Sequence, residues 1–312
     1  MFVQGRTFLM GSNRHYPEEA PAHHVRVDGF WMDCEPVTNA QFERFVRATG
    51  YVTTAERPLD PTHYPGVPRR ELNPGSLVFR APKREVPLDD WRNWWRFEAA
   101  ACWRRPFGPG TSCRGLENHP VVHVAYPDAL AYAKWTGKDL PREAEWELAA
   151  RGGLEHADYA WGDVFMPADC VMANTWHGRF PHERTAIGSF ERTSPVRTFP
   201  PNGYGLYDMI GNVWEWTCDF YAPHTANAAE PCCVPDNPRN LRGEMSFDPL
   251  LPQSRIPRRV IKGGSHLCAP SYCRRYRPAA RQGQAVDSST SHIGFRCVAR
   301  GASGHEPLIE EE

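Results

Sequence analysis

The sequence predicts an irregular α+β fold in one loop-rich domain. Its 30 prolines and 25 glycines among 312 residues indicate many turns and few long regular elements. Hydrophobic residues make up 41% of the chain and include 11 tryptophans, enough to build a core. Helical and strand patterns both occur, both are short, and no internal repeat is evident. We therefore expect a single domain over residues 1–300.

Three short helices are predicted from start and stop signals. Each candidate begins near a capping residue or a proline and is followed by a glycine. The predicted ranges are 38–50, 127–137 and 141–151. The second helix is expected to bury one face, formed by Leu130, Ala131 and Trp135.

Four short segments with several β-branched residues are predicted as strands, at 24–27, 121–124, 259–262 and 295–298. Residues 222–258 contain seven prolines and no periodicity, which favours a long surface excursion. The segment from Gly301 to Glu312 is acidic and is expected to be a disordered tail.

Charge and hydropathy argue against two classes of partner. The chain has 36 Lys and Arg against 37 Asp and Glu, so no global field attracts nucleic acid or an anionic membrane. Its apolar runs are shorter than the roughly 20 residues of a transmembrane helix, and no signal-peptide pattern opens the sequence. We therefore expect a cytoplasmic protein that binds neither nucleic acid nor a membrane. Its ten cysteines are then not expected to form a disulfide scaffold.

Cys268 and Cys273 flank a proline turn in a segment rich in arginine. Positive charge favours thiolate over thiol. Two thiolates that face one point form a soft site of low coordination number, which suits Cu(I). The spacing alone also allows a disulfide or two inert core cysteines.

Asp208 and Glu215 lie seven residues apart around a glycine turn. Carboxylates together with main-chain carbonyls are the hard oxygen ligands that Ca²⁺ takes. The alternative is a tryptophan-rich core segment whose acids cap nearby backbone. Both interpretations remain open from the residues alone.

Tryptophans and arginines alternate over residues 91–105. Such a pattern can form a stacking surface for single-stranded nucleic acid. Core tryptophans beside surface arginines are the commoner explanation. A third possibility is the wall of a groove for an extended peptide, since aromatic side chains dominate peptide interfaces.

The chain resembles the formylglycine-generating enzyme family, also called sulfatase-modifying factors, in motifs spread over most of its length. They include FLMG at 8–11, HPVVHV at 119–124, LPREAEWE at 140–147 and GNVWEW at 211–216. Non-catalytic modules and iron-dependent sulfoxide synthases of the wider C-type-lectin-like superfamily share this scaffold. The discriminating motif is Gly-Gly-Ser-x-x-Cys-x-x-Ser-Tyr-Cys-x-Arg-Tyr-Arg at 263–277, which is typical of the catalytic branch.

The resemblance implies a copper oxidase. Cys268 and Cys273 would hold Cu(I), with Ser265 and Tyr272 lining the oxygen pocket. The substrate would be an unfolded sulfatase polypeptide with a Cys-x-Pro-x-Arg motif, whose cysteine joins as a third thiolate. O2 and an external reductant would convert that cysteine to formylglycine. The alternatives are a non-catalytic peptide- or carbohydrate-binding module and an iron-dependent sulfoxide synthase. Retention of both thiols argues against the first, and no helical domain with an iron-binding histidine cluster precedes residue 8, which argues against the second.

The resemblance also implies substrate contacts. Asp60 would receive the substrate arginine in a charge-assisted hydrogen bond. A second acid of some relatives is replaced by Pro36, so Glu35 is the remaining candidate to assist. The set of candidate substrate-binding residues is completed by Trp94, Trp95 and Arg281.

Two structural calcium sites are implied in the same way. The first would use the side chains of Asp208 and Glu215 with backbone oxygens of Gly211 and Val213. A weaker second site would use Asn174, Thr175 and Phe190. Its usual carboxylate position is Gly188 in this chain.

Overall fold

The computed structural model describes residues 1–64, 66–185, 190–224 and 234–301. Its helices within these ranges are α1 (Asn39–Thr49), α2 (Tyr126–Trp135) and α3 (Glu143–Arg151). Its strands are β1 (Phe2–Val3), β2 (Arg6–Met10), β3 (His23–Val27), β4 (Phe30–Met32), β5 (Gly75–Phe79), β6 (Trp95–Ala99), β7 (Trp214–Phe220), β8 (Arg258–Lys262), β9 (Arg281–Ala285), β10 (Ile293–Gly294) and β11 (Val298–Ala299). The acidic tail predicted for residues 301–312 lies beyond the described residues, apart from Gly301.

The strands form four small sheets. The largest has the order β10-β7-β8-β9, in which β7 and β10 are parallel and the other pairs antiparallel. The sheet β1-β4-β11 joins an N-terminal strand to the last strand. The pairs β2-β3 and β5-β6 complete the set. Short sheets and long connections are what the high proline and glycine content predicts.

The predicted positions of the three helices are confirmed to within two residues. In α1 the Thr38 hydroxyl accepts from the Gln41 amide at 3.3 Å, and the Gln41 side chain accepts from the Thr38 amide at 2.8 Å. This capping box satisfies two amide donors that the first turn leaves free. Gly50 ends the helix in the left-handed region, at φ 68°.

The predicted buried face of α2 is wrong. Trp135 is 44% exposed, and Leu130 and Ala131 are only half-buried. The helix instead turns Tyr126, Asp128, Ala129, Tyr132 and Ala133 inward. Periodicity could not separate the two faces, because a short helix with apolar residues on both sides lacks a clear stripe.

Two predicted strands are also corrected. Residues 121–124 form no strand, and His123 has φ 59°. This segment is buried by irregular contacts such as the Val121 amide to the Val37 carbonyl at 2.9 Å. Residues 295–297 likewise lie between β10 and β11 without belonging to either. The apolar residues at both places are buried, as the sequence predicts, but both segments are loops that do not pair as strands.

Helix α3 is buried along its whole length, and its charged side chains are buried with its apolar ones. It packs against β2, β3, β7 and β8. Glu147 pairs with Lys262 of β8 at 2.9 Å and with Arg151 at 2.7 Å. Both cations hold the pKa of the Glu147 carboxyl down to about 2, against the effect of burial. Charged side chains therefore hold α3 against β8, the strand that precedes residues 263–277, which we call the thiol loop.

The proline-rich excursion packs on the surface where it is described. The Asn237 amide donates to the Arg26 carbonyl of β3 at 2.7 Å, and Arg26 pairs with Asp236 at 2.9 Å. Residues 225–233 of the excursion lie outside the described part. None of the helices in the described ranges has both the length and the apolar character needed to cross a bilayer.

Candidate active site

The thiol loop, residues 263–277, follows β8 and begins with two glycines. Gly264 has φ 71°, and a Cβ at this position would lie 2.9 Å from the Arg275 carbonyl oxygen and from Tyr276 Cα. Only glycine fits this close approach without strain. The turn thus lets the returning arm of the loop pass against the outgoing arm, which brings its two cysteines together.

Cys268 and Cys273 meet at the base of this loop, with their sulfur atoms 3.1 Å apart. A disulfide bond is about 2.05 Å long, so at this distance the two sulfur atoms are free thiols in hydrogen-bond contact. Cys268 is 2% exposed and accepts from the Ser265 amide at 3.4 Å, while Cys273 is half-buried. The Ser265 hydroxyl is also buried and accepts from the Leu267 amide at 3.2 Å. One buried and one more accessible thiol therefore share a single hydrogen bond.

The two thiols differ in acidity. A hydrogen bond from Cys268, helped by Arg275 with its Nη1 3.9 Å from the sulfur, lowers the pKa of Cys273 to about 7. Burial raises the pKa of Cys268 well above its usual value. As pH rises through about 7, the pair loses one proton, and the negative charge then lies on Cys273 while Cys268 stays protonated.

Arg275 is itself held in place by the segment 16–19. Its Nη2 lies 2.6 Å from Glu18 Oε1, and its guanidinium carbon lies 3.9 Å from the centre of the Tyr16 ring. Next to it, Arg277 forms a fully buried ion pair with Glu19. Sequence reasoning missed the role of these two acids. The signal was present as adjacent acids in Pro-Glu-Glu at 17–19 and adjacent cations at 274–277, but sequence spacing does not show that they pair.

The charge on Cys273 leads to a prediction for metal-free protein. Alkylation of Cys273 by iodoacetamide should accelerate as pH rises through about 7, because the thiolate is the nucleophile. The Arg275→Ala variant should need a higher pH for the same rate. Peptide mapping by mass spectrometry gives the rate at each cysteine, with exposed Cys170 as the internal reference. Equal pH profiles at Cys273 and Cys170 would contradict the lowered pKa assigned to Cys273.

An aromatic cluster borders the thiol loop. The Tyr272 ring stacks on Phe180 with centroids 4.7 Å apart and meets the edge of Trp94 at 5.3 Å. Tyr272 is 39% exposed, whereas Trp94 is buried. Trp95 is half-buried and contacts the His292 ring at 4.7 Å. Trp94 thus packs behind Tyr272, and the accessible faces of Tyr272 and Trp95 are available to contact a ligand.

The remaining substrate-binding candidates differ in accessibility. Asp60 is exposed, and its Oδ1 accepts from the Thr62 hydroxyl at 2.7 Å and amide at 2.9 Å, which lowers the pKa of Asp60. Glu35 is already paired with Arg197 at 2.6 Å. Arg281 is buried, and its guanidinium pairs with Glu143 through bonds of 2.6 and 2.8 Å. Of these three, Asp60 alone presents an unpaired charge to solvent, and Arg281 serves as an internal link to α3.

The first predicted calcium turn lies directly behind the thiol loop. The Gly211 amide donates to the Gly263 carbonyl at 2.9 Å, and the His266 amide donates to the Asn212 carbonyl at 3.0 Å. Burial raises the pKa of Asp208 to about 6 and the charge of Glu215 adds to this, since the Arg197 amide, the charge of Arg296 and the Asn212 side chain offset only part of the desolvation. Val213 is buried beside these residues. A cation would remove the cost of burying the Asp208 charge, so this carboxylate fits a calcium ligand.

Glu215 is less available as a calcium ligand, because its carboxylate is already bound by other side chains. Its two carboxylate oxygens bind Arg296 at 2.7 and 2.8 Å, and one also accepts from the Trp146 indole at 2.7 Å. Within the described ranges, no three His, Cys, Asp or Glu side chains converge as a metal site. Copper here would have two protein thiolates, and calcium would depend on backbone oxygens.

The second predicted calcium site is only partly assembled. Asn174 and Thr175 are buried next to the thiol loop, and Phe190 is half-buried. The Thr175 carbonyl accepts a hydrogen bond from Arg184. The Thr175 hydroxyl is hydrogen-bonded to the His177 ring at 3.3 Å. Gly188 lies outside the described residues.

Comparison with known proteins agrees with this architecture. Residues 1–301 match the sulfatase-modifying factor enzyme 1-like domain. The formylglycine-generating enzyme of Mycobacterium tuberculosis is 54% identical over 304 residues, which cover 97% of this chain and 98% of the relative. That of Thermomonospora curvata is 44% identical, covering 95% and 92%. PvdO from Pseudomonas aeruginosa, at 23% identity with 96% and 92% covered, has the same fold with a TM-score of 0.61. The α+β fold predicted from the sequence is thus confirmed, and the chain belongs to the family of formylglycine-generating, sulfatase-modifying factors.

Proposed function

We propose that this protein oxidises a cysteine in an unfolded sulfatase polypeptide to formylglycine, with Cu(I) held by Cys268 and Cys273. The observation that carries the proposal is the pair of free thiols, whose sulfur atoms lie 3.1 Å apart beside Arg275, itself anchored by Glu18. Two relatives at 54% and 44% identity bear the name of this activity. A non-catalytic module has no need for a thiol with a lowered pKa.

The residues of the pair suit a soft ion. Thiolate is the ligand form, and Arg275 helps to keep Cys273 in that form at neutral pH. Bound Cu(I) would supply the capacity to activate O2 next to a thiol. Loss of the Cys268 proton on metal binding would turn the unequal pair into two thiolates.

The protein side chains then position the substrate. Its cysteine would enter beside Cys273, the more accessible thiol, along the wall formed by Tyr272 and Trp95. The net reaction takes one O2, two external electrons and two protons for each substrate cysteine. The substrate would lose two hydrogens to give a thioaldehyde, and O2 would be reduced to two water molecules. Water would then hydrolyse the thioaldehyde, so that the carbon–sulfur bond breaks, the β-carbon becomes an aldehyde and sulfur leaves as sulfide. Burial of Ser265 and Cys268 keeps bulk water from the inner side of the pair.

Mass spectrometry of a peptide that contains Cys-Thr-Pro-Ser-Arg tests the proposal. Copper-loaded protein with a reductant in air should convert the thiol to the aldehyde, and copper-free or oxygen-free reactions should not. A peptide with serine in place of cysteine is the matched control. No conversion by protein that holds copper would favour a binding module on the same fold.

Asp60 should recognise the arginine of the substrate motif. Asp60→Asn should raise KM for the arginine peptide by about three- to fivefold with little change in kcat, since an exposed pair contributes modestly. For a peptide with alanine at that position, wild type and variant should have the same KM. Steady-state kinetics on the four combinations measure the coupling. An equal loss with both peptides would show that Asp60 acts on something else.

We also propose that the turn at Asp208 holds a structural calcium ion. The support is the buried Asp208 carboxylate, whose charge only partial hydrogen bonding offsets. Calcium should raise Tm over its value in chelator for wild type, because a ligand that binds the folded state stabilises it. The Asp208→Ala variant should lose this calcium-dependent gain. Scanning calorimetry with calcium and with EDTA measures it, and an unchanged gain in the variant would contradict the site.

A further inference from the structure

The Arg184 side chain is half-buried, and its guanidinium lies between the segment 174–176 and the thiol loop, with Nε and Nη1 buried. Its Nη2 donates to the His266 carbonyl at 2.9 Å and to the Thr175 carbonyl at 3.4 Å. Its carbon lies 4.7 Å from the centre of the Trp176 ring. A cation therefore already binds main-chain oxygens at this place.

Arg184 has no acidic partner there. Among the described residues, no carboxylate lies within ion-pair distance of it, and Glu191 acts on it only from further away. Its Nε and Nη1 are buried without a hydrogen-bond partner in the same part of the chain. An arginine side chain keeps its proton in proteins, so a full positive charge lies here. Backbone dipoles and an aromatic face stabilise this charge in place of an acid.

The oxygen atoms near Arg184 do not suit a calcium ion as well. Calcium takes six to eight oxygen ligands and usually needs carboxylates. Both oxygens of Thr175 are engaged, one by Arg184 and one by His177. The Asn174 Oδ1 atom is buried and unpartnered within the described part, while its Nδ2 donates to the Arg192 carbonyl at 2.8 Å. One free amide oxygen beside a fixed positive charge is a poor site for a divalent cation.

We propose that the Arg184 guanidinium takes the place of a second calcium ion at the Asn174–Thr175 site. The arginine is then a permanent internal cation that joins this segment to the thiol loop at His266. Of the two predicted calcium sites, only the turn at Asp208 then binds the ion. The inference is independent of the oxidase reaction, and it concerns metal content and stability.

Calcium content and Tm of three purified proteins test the inference. Equilibrium dialysis with elemental analysis should give the same calcium content for wild type and Asn174→Ala, because wild type holds no ion at this site. Arg184→Glu, which puts a carboxylate among the same carbonyls, should bind one calcium more than wild type. Arg184→Met should bind no more than wild type and should melt several degrees lower in calcium and in EDTA alike.

Two results would overturn the proposal. A fall in calcium content on Asn174→Ala would show that an ion binds beside Arg184. Unchanged stability of Arg184→Met would show that the guanidinium performs no structural role there. Both comparisons remain decisive if Arg184→Glu fails to fold, since neither uses that variant.

Discussion

Cys273→Ser should reduce conversion of the substrate peptide to the protein-free background. Serine keeps the size of the side chain but replaces a thiolate by a neutral hydroxyl, which is a poor ligand for Cu(I). Cys268→Ser should have the same effect, because a single thiolate cannot form the two-sulfur site. The measurement is the initial rate of aldehyde formation by mass spectrometry.

Copper binding separates this loss from misfolding. Each serine variant should bind Cu(I) at least 100-fold more weakly than wild type, in competition with a coloured chelator, and should keep a Tm close to that of wild type. Exposed Cys170 is the matched control, and Cys170→Ser should change neither quantity. A fully active Cys268→Ser variant would rule out the pair as the reaction centre.

Arg296→Met should be among the most destabilising single changes in the protein. Arg296 and Glu215 are both fully buried and share two hydrogen bonds of 2.7 and 2.8 Å. Removal of the cation leaves the Glu215 charge buried without its partner, which costs about 3–5 kcal/mol. Urea unfolding, with and without calcium, measures the loss.

Two further variants identify the cause of that loss. A combined Arg296→Met and Glu215→Gln change should recover part of the stability, because it removes the orphaned charge. The exposed pair Arg47 and Glu43, 2.8 Å apart, supplies the contrast, and Arg47→Ala should change stability by at most about 0.5 kcal/mol. A similar small loss in Arg296→Met would show that the buried pair matters little.

Local signals predicted much of the fold. The capping box at Thr38 and the glycines at 50 and 152 mark helix ends, and these ends are decided by neighbouring residues. The buried face of α2 could not be predicted, because it depends on which partners surround the helix. The valines of residues 121–124 predict a strand, but the segment is a buried loop, because apolar residues are selected for burial as well as for strand pairing.

The candidate site divides in the same way. The thiol pair was predictable because both cysteines lie in one short motif. The contacts of Arg275 with Glu18 and of Arg281 with Glu143 join residues 257 and 138 positions apart. Such pairings depend on tertiary structure, so Arg281 was expected at the substrate and is instead buried against α3.

X-ray absorption at the copper edge of Cu(I)-loaded protein shows which atoms bind the metal. We expect two sulfur ligands in the free protein and a third sulfur when the cysteine peptide is added, with no change for its serine analogue. Copper surrounded by nitrogen or oxygen, or a spectrum unchanged by Cys268→Ser, would contradict the claim that this thiol pair is the reaction centre.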